Sequence, residues 1–222
     1  EMELAGWIKR VNGFYSITEE GFEALMTLHG PELKLKRRWV NVEEFKKLRH
    51  DWLRIPLKRL VELLSDEFRE KTVSIALYGS SVSGSFKMGE SDVDMLYITE
   101  GQVKNLPTRE NEVFKRFRST FEYTAFDRWF KTKGFYGYPE VTVTHLGRSE
   151  AQNFQPIYLD MTHSRAILSD KDGVLESLIK RLQDKLKDLG SQRVERADGS
   201  SYWVLKPDLE PGEILEIDLQ GE

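Results

Sequence analysis

The sequence predicts an α/β (α+β) protein in which amphipathic helices alternate with the strands of a sheet. Runs of β-branched and apolar residues at 72–78, 93–98 and 141–146 have the composition and length of strands. Apolar residues recur at helical spacing before and after them, as in residues 57–69 and 174–189. This alternation is typical of a sheet that is covered by helices.

An amino-terminal hairpin and helix are expected before this alternating region. Two β-rich runs flank Asn12 and Gly13, a pair that is the strongest short signal for a hairpin. Thr18 can cap a helix that runs to Gly30 and Pro31. The pattern resembles the wing and closing helix of a winged-helix domain, and it leaves open whether upstream residues complete a DNA-binding unit.

Further helices are expected on either side of the strand at 93–98. Asn41 can cap a helix that runs to Leu53, and Pro56 is expected to stop or kink that helix. Residues 109–133 are expected to form one long helix whose aromatic side chains suit the core, a base or acceptor pocket, or a homodimer interface. Two strand-like runs near the carboxyl end, 201–208 and 213–219, are expected to form a closing hairpin.

The most informative stretch begins with a Gly-Ser turn after the strand at 72–78. Gly79 permits a sharp exit from the strand because it has no side chain to obstruct the turn. Ser80 and Ser81 can cap a short helix that follows. Free N–H groups at a helix start and the positive end of the helix dipole attract phosphate oxygens. The turn is therefore a candidate phosphate site.

Two carboxylates follow this turn at the start of the next strand. Asp92 and Asp94 flank Val93 at the head of the run 93–98. Because a strand has a period of two residues, both carboxylates are expected on one face. Like charges this close are unfavourable unless a cation lies between them, and Mg²⁺ prefers oxygen ligands that it shares with substrate phosphates. The pair is therefore a candidate metal site.

An apolar strand, the pair Gly79–Ser80, and then Ser-Asp-apolar-Asp opening another strand together resemble the signature of the nucleotidyltransferase superfamily. The resemblance implies a polymerase beta-like core, with a mixed sheet flanked by helices. It also implies an enzyme that moves a nucleoside monophosphate from an NTP, such as ATP, to a hydroxyl acceptor and releases pyrophosphate. Two Mg²⁺ ions are expected to assist that reaction by stabilising the entering and departing oxygens.

The same resemblance implies roles for individual residues. Asp92 and Asp94 match the family's first two metal-binding, catalytic carboxylates. Gly79 and Ser80 match the family's triphosphate-binding pair. Ser81, Lys87 and Ser91 are further candidates for contact with the nucleotide.

A third catalytic carboxylate normally stands on a strand beside the Asp-x-Asp strand, and here the sequence departs from the family. The run 141–146 has no acidic residue at its interior positions. Glu140, at its entrance, is the first candidate, Asp160 is the second, and absence of a third acid is the remaining alternative. This departure motivates a second class of function, a catalytically degenerate regulatory or nucleic-acid-binding module. An antitoxin-like protein that modifies a partner is a third.

Composition and charge limit the classes of function. The chain has 222 residues, a formal net charge of −4, no cysteine and no apolar run of the roughly 20 residues that span a membrane. Disulfides and thiolate metal sites are thus excluded, and a cytoplasmic location without membrane contact is expected. Residues 31–60 carry ten Lys or Arg against four acids, so they suit either a contact with nucleic acid or a solvated connector.

These features divide the chain into three expected regions. Residues 1–56 are a winged-helix-like remnant with a basic helical linker, residues 57–170 are the nucleotidyltransferase core, and residues 171–222 are a carboxyl-terminal helix with the closing hairpin. The acceptor, whether small molecule, RNA or protein, is left open. A Leu-Lys-Pro-Asp run at 205–208 resembles the endings of archaeal members of the superfamily.

Overall fold

The computed structural model describes residues 6, 8–11, 14–18, 21, 40–48, 50–68, 71–101, 103, 105–197 and 201–220. It begins with an antiparallel hairpin of β1 (Ile8–Val11) and β2 (Phe14–Ile17), as the sequence predicts. The Thr18 hydroxyl accepts a hydrogen bond from the Gly21 N–H at 3.0 Å, which is N-cap geometry. The hairpin turn and the rest of that predicted helix lie outside the described residues, so the winged-helix interpretation is not confirmed.

A four-stranded mixed sheet forms the centre of the molecule. Its strands are β3 (Thr72–Tyr78), β4 (Val93–Thr99), β5 (Val141–Gly147) and β6 (Ala166–Asp170). The spatial order is β5-β4-β3-β6, with β4 parallel to β5 and the other neighbours antiparallel. All of β3 is buried because its apolar side chains are covered on both faces of the sheet. The predicted fold class, a mixed sheet flanked by helices, is confirmed.

Helices pack on both faces of this sheet. They are α1 (Asp51–Phe68), α2 (Ser80–Ser83), α3 (Leu106–Arg118), α4 (Phe121–Thr132), α5 (Arg148–Ala151), α6 (Ile157–His163) and α7 (Val174–Asp188). Alternate strand residues divide the buried side chains into two clusters. One lies under α1, α3 and α4 and the other under α6 and α7. None of the described helices has the length and apolar character that a membrane span needs.

The helix predicted from Asn41 to Leu53 is wrong in its extent. Asn41 caps a 3-10 helix, Val42–Lys47, by accepting the Glu43 N–H at 3.2 Å. An extended Leu48 then interrupts the helix, and α1 begins only at Asp51. Pro56 does not end a helix but lies inside α1, where its missing N–H removes one backbone hydrogen bond.

The single helix predicted at 109–133 is also wrong, because Ser119 and Thr120 separate α3 from α4. The Thr120 hydroxyl accepts the Tyr123 N–H at 3.3 Å and starts the second helix. A side-chain hydroxyl that bonds nearby backbone competes with a continuous helix. The break lets both α3 and α4 contact α1.

The predicted closing hairpin between 201–208 and 213–219 is wrong as well. The hairpin consists of β7 (Gln192–Glu195) and β8 (Ser201–Val204), in antiparallel register. The sequence pattern does not predict β7, because this strand is short and polar. The last described segment instead packs on the second core, where Leu219 is fully buried and its carbonyl accepts from Arg181 Nε at 2.8 Å.

Candidate active site

The Gly-Ser turn and both aspartates meet at one edge of the sheet. β3 ends at this edge, whereas β4 and β5 begin there, because β3 is antiparallel to β4 and β4 is parallel to β5. In the strand ladders Tyr78 faces Asp94, and Asp94 in turn faces Thr142. Residues that face one another across a ladder point to the same side of the sheet. These three side chains therefore share the face that carries α6 and α7, since Tyr78 belongs to the core on that side.

Gly79 and Asp94 approach one another so closely that no side chain fits at position 79. A Cβ added to Gly79 would lie 2.2 Å from Asp94 Oδ2. Gly79 also has φ +70° and ψ −151°, a conformation that other residues rarely adopt. The structure thus directs one of the two predicted metal-binding carboxylates at the backbone of the predicted triphosphate turn.

Asp92 lies just before β4, where it is exposed to solvent. Its Oδ2 accepts a hydrogen bond from the Thr142 hydroxyl at 3.1 Å. Thr142 also faces Asp94 in the ladder. It thus bonds the carboxylate of Asp92 and lies beside Asp94. The two aspartates are therefore held at neighbouring points of the same edge.

Burial and neighbouring charge both act on Asp94. Burial, and then the charges of Asp92 and Asp160, raise the pKa of Asp94 from 3.8 to about 6. The same three carboxylates act on Tyr78, whose pKa is raised chiefly by burial, although its hydrogen bond to the Thr144 hydroxyl at 3.3 Å opposes the rise. Tyr78 is thus a neutral hydroxyl beside a concentration of negative charge.

The two candidates for the third acid lie on different elements of the fold. Asp160 is an exposed residue of α6 whose charge reaches both Asp94 and Tyr78. Glu140 is exposed at the entrance of β5, and its carbonyl accepts the Val93 N–H at 2.8 Å. The Glu140 side chain borders a separate cavity beneath α3 and α4. The structure therefore brings Asp160, rather than Glu140, into electrostatic contact with Asp94.

The remaining predicted nucleotide contacts differ in how they are placed. Gly79 is the N-cap of α2, so Ser80 and Ser81 are its first helical residues and not its caps. The Ser81 side chain is fully buried and donates to the Tyr78 carbonyl at 3.2 Å, so its hydroxyl serves the fold. Lys87 is exposed, with Nζ 3.7 Å from Glu90, and its N–H bonds the Ser91 hydroxyl at 3.0 Å. These bonds close a turn that ends immediately before Asp92.

The donor atoms at this edge fit a hard divalent cation. Carboxylate and hydroxyl oxygens dominate the site, and such ligands suit Mg²⁺. Burial, and then the charges of Asp92 and Asp160, raise the pKa of Asp94, and a bound cation would oppose this rise because it favours the ionised carboxylate. Within the described residues no three His, Cys, Asp or Glu side chains form a group that could hold a metal alone. Asp92 and Asp94 would therefore share the ion with substrate phosphates and water, as is usual for Mg²⁺.

The sequence did not predict three residues of the candidate site. Tyr78, Thr142 and Thr144 all lie on the face of Asp94 or bond its neighbours. The signal for the threonines was the alternation in Val-Thr-Val-Thr at 141–144, which places both hydroxyls on one side of β5. Without the register of β5 against β4, that side could not be matched to Asp94.

The basic segment 31–60 is described only at 40–48 and 50–60. In this part several cations already have carboxylate partners. Lys46 pairs with Glu43, and Lys47 Nζ lies 2.6 Å from Glu44. Arg59 lies 2.8 Å from Glu62. Contact of this segment with nucleic acid stays a prediction.

Comparison with known families agrees with the geometry. Residues 57–132 match a family described as the nucleotidyltransferase domain, which supports the resemblance of this region to the nucleotidyltransferase superfamily. The match spans α1 to α4 and includes Gly79, Asp92 and Asp94, but it ends before β5 and Asp160. No curated protein sequence matched the chain.

Proposed function

We propose that this protein is a Mg²⁺-dependent nucleotidyltransferase that transfers a nucleoside monophosphate from an NTP to a hydroxyl acceptor. The observation that carries the proposal is the approach of Asp94 to Gly79, which leaves room for no side chain between the acid and the turn. Such an arrangement suits a polyphosphate that lies against the turn while its cation is held by Asp92 and Asp94.

Residues of the chain would position the reactants, bind the charged phosphates and accept the proton of the acceptor. Gly79 and Ser80 would bind the β- and γ-phosphates through backbone N–H groups. Asp92 and Asp94 would fix the position of the α-phosphate. The oxygen of the acceptor hydroxyl bonds the α-phosphorus, the bond to the bridging oxygen breaks, and pyrophosphate leaves. The hydroxyl proton passes to a nearby carboxylate, for which we propose Asp160. Bound Mg²⁺ would neutralise phosphate charge and stabilise the entering and departing oxygens.

Calorimetric titration with ATP, GTP, CTP and UTP in the presence of Mg²⁺ tests this proposal. We expect at least one nucleotide to bind, with binding lost in Asp92→Asn and Asp94→Asn. Both variants replace a carboxylate by a group of the same shape, so their circular dichroism should match the wild type. If all four nucleotides fail to bind, the proposal is wrong.

The identity of the third acid can be tested by comparing two variants. Asp160→Asn should slow transfer more than Glu140→Gln, because the charge of Asp160 reaches Asp94. Pyrophosphate release is the measurement. A larger loss in Glu140→Gln would assign the role to the entrance of β5.

The side chains of β5 that lie beside Asp94 favour a second candidate function, a module that binds a nucleotide without catalysing its transfer. Thr142 and Thr144 supply hydroxyls on this strand and no carboxylate. Mg²⁺-dependent NTP binding without pyrophosphate release, for every acceptor offered, would support the binding module and contradict the transferase.

A further inference from the structure

The two aspartates of the candidate site are directed at different neighbours. A Cβ at Gly79 would lie 2.2 Å from Asp94 Oδ2, so this carboxylate is directed at the turn that follows β3. Asp92 Oδ2 instead accepts the Thr142 hydroxyl of β5 at 3.1 Å. Strands β3 and β5 flank β4 on opposite sides. The site therefore has a turn side, next to Gly79, and a β5 side, next to Thr142.

The β5 side presents a neutral hydroxyl beside the two acids. Thr142 faces Asp94 in the parallel ladder, and neighbouring strands are about 4.8 Å apart. A side chain at position 142 can therefore reach an ion that Asp94 holds. The threonine hydroxyl adds no negative charge, and its hydrogen is donated to Asp92. Thr142 thus orients one carboxylate without supplying another.

The neighbouring polar groups do not supply a third carboxylate ligand. The Thr144 hydroxyl, on the same face of β5, lies 3.3 Å from the Tyr78 hydroxyl. The charge of Asp160 acts on Asp94. Among the residues that the structure describes, however, Asp160 does not join the two aspartates in a group of three that could hold a metal. In this part of the chain the carboxylate ligands are thus Asp92 and Asp94.

Two carboxylates suit one Mg²⁺ ion better than two. Mg²⁺ is usually bound by one or two carboxylates, with substrate phosphates and water as its other ligands. In a two-metal site the ions are only about 3.5–4 Å apart, so negative ligands must offset the repulsion between two dications. The nucleotide phosphates would add negative charge on the turn side, beside Gly79, and Thr142 adds none on the β5 side.

We infer that this site holds a single Mg²⁺ ion, on the turn side with the nucleotide phosphates, because Thr142 occupies the position from which a carboxylate would hold a second ion. The inference rests on the proposed function and narrows the expected two ions to one. Thr142 is then a positioning residue for Asp92. Asp160 would accept the proton of the acceptor without a second ion beside β5.

A count of bound Mn²⁺ by electron paramagnetic resonance tests this inference. Mn²⁺ takes the place of Mg²⁺, and α,β-methylene ATP supplies phosphates that cannot be cleaved at the α-phosphate; the matching analogue is used if calorimetry selects another NTP. With protein and nucleotide at equal concentrations above the dissociation constant, the wild type should bind one Mn²⁺ per complex. The count measures binding, so it depends neither on turnover nor on the acceptor.

Three variants test the role of position 142. Thr142→Asp supplies a carboxylate on the β5 side, so the count should rise from one to two, and the two close ions should broaden each other's resonance. Thr142→Asn has the same shape as that aspartate without its charge and should keep one ion. Thr144→Asp places the same charge on the same face, but two residues, roughly 7 Å, further along β5, and should also keep one.

Two bound ions in the wild-type complex would overturn the inference, and this result does not depend on how any variant folds. A count that stays at one in Thr142→Asp, with a circular dichroism spectrum like that of the wild type, would also overturn it. A second ion in Thr144→Asp would contradict the assignment to position 142. All three results leave nucleotide binding intact, whereas absence of nucleotide binding in the wild type would contradict the proposed function itself.

Discussion

At the scale of single residues, the close approach of Asp94 to Gly79 makes the first prediction. Gly79→Ala places a Cβ 2.2 Å from Asp94 Oδ2, so the carboxylate must move away from the turn. The substitution also carries strain at φ +70°, which costs about 1 kcal/mol of unfolding free energy. We expect lower stability in chemical denaturation and loss of Mg²⁺–nucleotide binding in calorimetry.

Gly134→Ala provides the control for backbone strain. Gly134 has φ +86°, but a Cβ there would meet nothing within 4 Å. This variant should lose less stability than Gly79→Ala, because it adds backbone strain without a steric clash, and it should keep nucleotide binding. If both variants bind nucleotide equally well, the contact between Gly79 and Asp94 has no role in the site.

The raised pKa of Asp94 makes a second prediction, about the dependence of stability on pH. The folded pKa, about 6, lies above the ordinary 3.8. The folded state therefore binds more protons than the unfolded state in this window, and stability falls as the pH rises through it. The shift corresponds to at most about 3 kcal/mol, and solvent screening of this half-buried group reduces it to roughly 1–2 kcal/mol.

Asp94→Asn should consequently raise the melting temperature at about pH 7.5 in EDTA and change it little at about pH 4. Thermal unfolding at the two pH values measures the difference. Asp184→Asn, an exposed carboxylate of α7, is the control and should have no pH-dependent effect of this kind. An Asp94→Asn effect of equal size at both pH values would contradict the electrostatic explanation.

Among the secondary-structure elements, the strands of the central sheet were the most predictable. The runs at 72–78, 93–98 and 141–146 match β3, β4 and β5 to within one residue, because burial selects continuous β-branched and apolar runs. Helix boundaries at 48–51 and 119–120 depend on local side-chain bonds and on packing against other helices. Such tertiary effects override the periodic pattern.

The chemistry of the site was predictable and its assembly was not. The sequence shows an acid pair and a glycine turn, but the contact between Gly79 and Asp94 follows from the register of β3 against β4. Likewise, Glu140 precedes a strand beside the aspartates, whereas Asp160 comes close through the packing of α6. Proximity that arises from long-range pairing leaves no periodic signal in the chain.

Strand β5 makes a third prediction, because Thr142 faces Asp94 in the parallel ladder. Thr142→Asp would place a third carboxylate on this face. Repulsion should lower stability in EDTA by about 1 kcal/mol, and bound Mg²⁺ should relieve it. The rise in melting temperature on adding Mg²⁺ should thus be larger than in the wild type.

The control for that variant is Thr142→Val, which removes the hydrogen bond to Asp92 Oδ2 without adding charge. It should cost about 0.5–1.5 kcal/mol with and without Mg²⁺. A Mg²⁺-dependent stabilisation of Thr142→Asp no greater than that of the wild type would show that β5 does not face the ion.

At the scale of the whole molecule, the central sheet joins two hydrophobic cores. Alternate residues of β3 and β4 enter the core under α1, α3 and α4 or the core under α6 and α7. The carboxyl-terminal residues Leu182 and Leu219 are fully buried in the second core together with Ala76 and Leu96 of the sheet. Helix α7 and Leu219 therefore share their core with the strands that carry the candidate site.

This shared core makes the fourth prediction, that the carboxyl-terminal helix and the sheet unfold together. Leu182→Ala removes a buried side chain from α7 and should cost about 2–5 kcal/mol. In a Trp203→Phe background every remaining tryptophan precedes residue 171, so fluorescence reports on the rest of the chain. The fluorescence and circular dichroism transitions should shift equally, whereas Lys180→Ala, at an exposed position of α7, should shift neither. A fluorescence transition unchanged by Leu182→Ala would mean that α7 unfolds on its own, and the site would then not depend on the second core.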